Sequence, residues 1–335
     1  MFVLDSHCDT PSQMVRGLDI GTSGDGQVDL DKLKAGGVDA SFFALYTPAT
    51  ISEEEAAVRV LKMMGKVNDA LEAHKDSIAL ALSPEDALRN KAEGLISIFL
   101  GMENGSPLNG SLPVLRFFWK MGVRYITLTH NGDNALADSA AEGKKWHGLS
   151  PFGREVVAEM NRLGMIVDLA HSSDETFWDV LDFSKAPIVS THSCCRALAG
   201  HPRNMTDDMI KAMADKGGVI QINFYPVFLS DGYAALFKEH GENARPLPGV
   251  GAVADHIDHA VKVGGIDHVG IGTDYDGIEV APEGLEDVSK LPVLFDELSR
   301  RGYTDDQIDK IAGGNFLRVM GDVISCARGL QAQTA

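Results

Sequence analysis

Short apolar, β-branched runs recur down the whole chain. Each is bounded by Gly, Pro or Asp and followed by a segment of helical period, which is the pattern of βα units around a parallel sheet. Eight such runs stand at residues 2–5, 38–46, 95–102, 124–129, 165–170, 187–191, 219–224 and 268–273. Ile-Ser-Ile-Phe-Leu before Gly101 and Val-Ile-Gln-Ile-Asn-Phe from Val219 are almost continuously hydrophobic, as strands covered on both faces should be. Helix starts lie between the runs at Ser52-Glu53-Glu54-Glu55, Ser83-Pro84-Glu85-Asp86 and Thr206-Asp207-Asp208. Eight strands with eight crossovers close on themselves, so the expected fold is α/β, a (β/α)8 TIM barrel. A ninth run at 79–82 reads as a hairpin arm or a helix end.

Barrels of this kind run well past the usual domain length, so the 335 residues are expected to form one domain, 1–335. Three connections are long, at about 10–37, 131–151 and 226–249. The last follows a strand, is rich in Gly and Pro, and reads as a lid or subunit contact. From about Gln331 the chain reads as a loose tail.

The formal charge of −18 argues against nucleic acid, whose binders display a basic face. Cys8, Cys194, Cys195 and Cys326 do not make a disulfide framework, since neighbours such as Cys194 and Cys195 bond to each other only under strain. No run approaches the roughly 18 apolar residues of a membrane span, and the start Met1-Phe2-Val3-Leu4-Asp5 has no leader pattern. A cytoplasmic location without membrane attachment is the expectation.

In such a barrel the active site gathers at the carboxyl ends of the strands. There stand His7-Cys8-Asp9, Glu103, His130, His171, His192 and Asp274-Tyr275-Asp276. His-x-Asp alone is weak, and a buried hydrogen-bonded pair is its plain alternative. Glu103 reads either as a loop charge or as a carboxylate bridging two zinc ions about 3.5–4 Å apart, with His7 and Asp9 completing one ion and His171 and His192 the other. Nitrogen and oxygen donors suit zinc, with manganese or iron as alternatives. A lone histidine closing an apolar strand is usually a satisfied core residue, but two at successive strand ends face one mouth. Cys8, Cys194 and Cys195 read as packing, Asp276 as a cap of the following turn, and His147, His201, His256 and His259 as loop or helix-surface residues.

The ordered motifs Asp5-Ser6-His7-Cys8-Asp9-Thr10, Gly101-Met102-Glu103-Asn104-Gly105, Leu128-Thr129-His130-Asn131, Val167-Asp168-Leu169-Ala170-His171, Thr191-His192-Ser193, Pro202-Arg203-Asn204, Asn223-Phe224-Tyr225 and Gly272-Thr273-Asp274-Tyr275-Asp276-Gly277 resemble the membrane dipeptidase (renal dipeptidase) family of the amidohydrolase superfamily. The likeness runs from Asp5 to about Arg318. It implies two Zn2+ per chain, one held by His7, Asp9 and Glu103, the other by Glu103, His171 and His192. It further implies that His130 touches the scissile carbonyl, that Arg203 holds the substrate carboxylate with Tyr225 in the substrate site, and that Asp274 binds the free amine and handles the proton. The implied substrates are L-L and L-D dipeptides, cut by a hydroxide bridging the metals, in a homodimer. The lipid-anchor signal and disulfides of the secreted animal members have no counterpart here. Two other readings compete: a related hydrolase acting on a lactone, an N-acyl amino acid or a β-lactam, and a metal-free barrel serving as a scaffold.

Overall fold

The structure, a computed structural model, describes residues 1–22, 24, 26–141 and 144–333. Its strands are β1 (Leu4–Cys8), β2 (Ala40–Tyr46), β3 (Ile78–Leu80), β4 (Ile96–Glu103), β5 (Val123–Thr127), β6 (Ile166–Asp168), β7 (Ile188–Ser193), β8 (Val219–Ile222) and β9 (Val269–Ile271). Eight of them run parallel in the order β1-β2-β4-β5-β6-β7-β8-β9, with helices in the crossovers. The ring nearly closes where the segment after β9 meets β1. There the Asp274 amide donates to the His7 carbonyl at 3.0 Å and the Asp9 amide to the Tyr275 carbonyl at 2.8 Å. The buried Asp5 carboxylate ties the same seam, accepting from the Thr273 amide and hydroxyl.

All eight expected runs are barrel strands, and the differences lie at their ends. β1 runs beyond the expected 2–5 to Cys8, and its polar residues Asp5, Ser6 and His7 are wholly buried and bonded across the barrel. Ser6 Oγ, for example, donates to the Thr191 carbonyl at 2.7 Å. The run at 79–82 is neither hairpin arm nor helix end. It belongs to β3, a short strand lying parallel to the first residues of β4, with Ile78 opposite Ile96.

Two apolar layers hold the barrel. The larger packs strand side chains against the helices outside. The smaller fills the interior below the mouth, where Phe42 of β2 stacks on Phe99 of β4 at 4.7 Å and on Tyr125 of β5 at 5.1 Å. Phe316, Val319, Met320 and Val323 of the last helix (Asn315–Ala332) seal it from beneath. The expected helix starts are caps: Ser52 and Glu55 form a reciprocal capping box, and Ser83 and Thr206 accept from the amides of Asp86 and Met209.

The long connections are more ordered than their composition suggests. Segment 10–37 holds helices Thr10–Arg16 and Leu30–Ala35, and 226–249 holds Pro226–Leu229 and Asp231–His240. In 131–151, of which 142–143 lie outside the described residues, the Asp138 carboxylate gathers the amides of Trp146 and Gly148. The last helix continues to Ala332, and Gln331 donates to the Arg162 carbonyl, so the expected loose tail is helical as far as Ala332, and residues 334–335 lie outside the described residues. The four cysteines are free, three of them buried. No helix among the described residues is long and apolar enough to cross a membrane.

His256 is not a surface residue. It is 1% exposed, accepts at Nδ1 from the Cys195 amide at 3.0 Å, and reaches the Leu229 carbonyl through Nε2 at 3.2 Å. The ring therefore pins the loop after β7 to the helix Val250–Gly264. Burial pushes its pKa down to about 4. The unfolded chain takes up this proton first as pH falls below about 6.5, so the stabilisation is complete above that pH and is lost progressively toward pH 4. Between pH 7 and 4.5, metal-stripped wild type is expected to lose about 2 kcal/mol more than His256→Gln in urea unfolding. Equal losses would contradict this.

Candidate metal centre and active site

Five side chains from four strand ends meet beneath the mouth. His7 leaves the end of β1, Glu103 closes β4, His192 lies in β7, and Asp9 and His171 follow β1 and β6. Glu103 sits at the centre. Its Oε1 lies 3.1 Å from His171 Nε2, 3.5 Å from His192 Nε2 and 3.9 Å from His130 Nε2, while Oε2 lies 3.6 Å from His7 Nε2. His7 Nε2 is also 3.5 Å from Asp9 Oδ2 and 3.9 Å from Asp274 Oδ1. The strand ends bend to bring this about. His171 and Asp274 are left-handed at φ 66° and 64°, a conformation costing a non-glycine residue about 1 kcal/mol or more, and one that collects at functional sites.

The outer ring nitrogens decide what the inner ones can do. Thr191 donates its hydroxyl to Asp168 at 2.7 Å, so its oxygen is left to accept from His192 Nδ1 at 2.9 Å. Asn131 Oδ1 takes the proton of His171 Nδ1 at 3.0 Å. Both Nε2 atoms then carry lone pairs, yet they face each other at 3.0 Å and face a carboxylate as well. On the third ligand, Nδ1 of His7 is held by the Tyr125 hydroxyl at 2.7 Å, while the buried Nε2 has no hydrogen-bond partner among the described residues. Acceptors packed together without donors are what a cation site requires, so these residues fit the expected divalent metals.

Three overlapping groups have their donor atoms within 4.8 Å of one another: His7–Glu103–His192, Glu103–His130–His171 and His7–Asp9–Asp274. They contain all five expected ligands and place Glu103 in two groups. They also bring His130 and Asp274 into donor range, which the expected division into two triads does not include.

Charge follows the same geometry. Burial disfavours charge on His7, but Glu103 and Asp9 outweigh it and hold its pKa well above the ordinary value. Burial likewise opposes a charged Glu103, and His7 with the other two rings reverses this, holding its carboxyl far below the usual range. Asp9 is pushed up to about 7 by burial and by Glu103. Asp274 rises to about 6 through burial, with His7 opposing. His171, His192 and His130 are all pushed down by burial and so stay neutral imidazoles.

The cage opens into a cavity of about 530 Å³. Arg203 reaches it almost wholly buried, its Nη2 donating to the His192 carbonyl at 3.1 Å. Its Nε has no partner among the described residues. Tyr225 and His130 line the same cavity, as does His201, which is therefore not a loop-surface residue. Asp274 Oδ2 accepts from Asn223 at 2.9 Å. Both oxygens of Asp276 are instead occupied by Thr10 and by the Gln27 amide, so this residue anchors the 26–28 segment rather than capping its own turn. The residues that sequence reasoning passed over are the outer partners Tyr125, Asn131, Asp168, Thr191 and Asn223. For Tyr125 a signal exists: Gly101 on β4 leaves room where a side chain would collide with the tyrosine ring, letting it cross to His7.

Residues 1–334 match the family described as membrane dipeptidase, peptidase family M19. Among curated proteins, a Schizosaccharomyces pombe chain described as an uncharacterised dipeptidase is 39% identical over 312 residues, covering 88% of this chain and 72% of its own. The Aspergillus oryzae dipeptidase aclJ is 38% identical over 316 residues, 91% of this chain and 72% of that one. Among solved structures, a Rhodobacter sphaeroides metallopeptidase bound to a phosphinate mimic of L-Ala-D-Ala superposes with a TM-score of 0.87 at 26% identity, over 96% of this chain and 99% of the other. With histidines gathered around one carboxylate in a parallel barrel that matches the family over residues 1–334, this chain is a member of the membrane dipeptidase family of metallopeptidases.

Proposed function

We propose that this chain hydrolyses dipeptides with two divalent metal ions, zinc foremost, held by His7, Asp9, Glu103, His171 and His192. The observation that carries the reading is the convergence of the neutral His171 and His192 rings and the partnerless Nε2 of His7 on the buried carboxylate of Glu103. When bound, such ions polarise the scissile carbonyl and supply an activated water at neutral pH. The chain's own groups do the rest. Arg203 offers the free N–H of a planar fork to the substrate carboxylate. Asp274, at about pH 6, lies at the balance point for holding the substrate amine or carrying a proton at Oδ1 to the departing amine. His130, kept neutral by burial, presents an N–H to oxygen charge as it builds. With Asp274 as amine site and Arg203 as carboxylate site, both lining one cavity, a dipeptide satisfies both and a longer chain leaves one unpaired. The dipeptide mimic on the bacterial relative supports acceptance of a D-residue at the carboxyl side.

Elemental analysis of the purified protein is expected to find close to two zinc ions per chain. Chelation should abolish hydrolysis of L-Ala-L-Ala and L-Ala-D-Ala, and added zinc should restore it. Metal without dipeptide cleavage would shift the assignment to another amide or lactone substrate, and a protein that never holds metal would end the enzyme reading.

A further inference from the structure

The wall of the cavity differs from one side to the other. Part of it is polar, with Ser12, Gln13, Arg16 and Glu279, the last of these beside Tyr225. Around Arg203 it is aromatic, formed by Tyr225, Phe228 and Phe237 with Val227. These rings make one surface. Phe228 lies beneath the Arg203 guanidinium, with the carbon 5.4 Å from the ring centre, and packs on His201 at 4.6 Å and on Tyr225 at 5.0 Å. Phe237 meets Tyr225 edge-on at 6.0 Å. Val227 and Phe228 come from Pro226–Leu229, which Tyr225 precedes as its N-cap residue, and Phe237 comes from Asp231–His240, the helices of the long connection after β8.

The position of the wall relative to Arg203 gives it a meaning. The buried Nε of Arg203 lacks a partner and so marks where a substrate carboxylate would bind. That carboxylate and the last side chain of the substrate leave the same carbon atom, so the side chain must lie close to the guanidinium. The aromatic surface starts beside the guanidinium at Phe228 and continues through Tyr225 to Phe237. Apolar surface facing a wet cavity gains free energy when another apolar group covers it, and ring pairs at 4.5–7 Å add to that gain. We infer that this aromatic wall is the side-chain subsite for the carboxy-terminal residue, and that the chain prefers dipeptides ending in a large apolar residue, aromatic above all. The inference rests on the dipeptidase reading.

The test is kinetic, on the zinc-loaded enzyme, with L-Ala-L-Xaa substrates in which Xaa is Phe, Leu, Ala, Lys or Asp. The expected kcat/KM for Ala-Phe exceeds that for Ala-Ala by about tenfold or more, the usual scale for filling an apolar pocket, with Ala-Lys and Ala-Asp lowest. Phe237 is half-buried on a short outer helix, away from the barrel core. Phe237→Ala should bring the Ala-Phe to Ala-Ala ratio to within about threefold of unity, and Phe237→Leu should retain part of it. Cleavage of the whole panel without preference for Phe or Leu, or a ratio unmoved by Phe237→Ala, would overturn the subsite and leave the dipeptidase reading standing. Failure to cleave any member with metal present would overturn that reading and the subsite with it.

Discussion

Glu103→Gln is expected to lower kcat/KM for dipeptides by at least about a thousandfold, the equivalent of roughly 4 kcal/mol of transition-state stabilisation. The substitution is nearly isosteric, so its effect is one of charge. Among the described residues, Glu103 is the only carboxylate whose oxygens lie within 4 Å of His7, His130, His171 and His192 together. An amide there loses the negative charge that balances two cations and turns one acceptor oxygen into a donor aimed at ring nitrogens that need a cation. Metal content should fall below two per chain in the same preparation. An enzyme that keeps both its metal and its rate after this change would show that Glu103 is not the shared ligand.

Arg203→Met should cost between about thirtyfold and several thousandfold in kcat/KM, the range of 2–5 kcal/mol observed when one member of a buried charge pair is removed. The more telling readout is the comparison with dipeptide amides. Wild type should favour the free acid strongly, and in the variant that preference should nearly vanish, since a carboxylate and an amide then face the same apolar surface. Lysine should not substitute for the fork, having one compact charge where two aligned donors are wanted. Folding stability should not suffer. Burial already pushes the Arg203 pKa down, which means that its charge is held there against its own hydration, and Nε gains nothing in return until a ligand arrives. A variant that loses rate equally on acids and amides would remove Arg203 from the carboxylate site.

Why so much of the site could be read from the chain, and why some could not, is clear from particular residues. His171 and His192 close apolar strands, and a barrel has one mouth, so strand ends translate directly into proximity. Glu103 was reachable in the same way. Tyr125 was not, because a tyrosine inside an apolar run looks like core, and only the gap at Gly101 shows that its ring crosses to another strand. Asp168 and Thr191 are ordinary buried polar residues until they are seen in line behind His192. The run at 2–5 stops short of the end of β1 because Ser6 and His7 are polar, and the partners that hold this strand come from far along the sequence. His256 was misjudged since helical period places it at the helix surface without revealing that two loops cover that surface. The helices in 226–249 were hidden by Gly and Pro, which punctuate that segment rather than unfold it.

The aromatic floor of the barrel carries one further consequence. Phe42, Phe99, Tyr125 and Phe316 close the interior below the cage, and the last helix lies across the bottom. The site is therefore a cul-de-sac. Among the described residues, substrate, both amino-acid products and any metal ion share the mouth at the carboxyl ends of the strands. The helices after β8 line that mouth through Val227, Phe228 and Phe237, although they hold none of the residues of the cage.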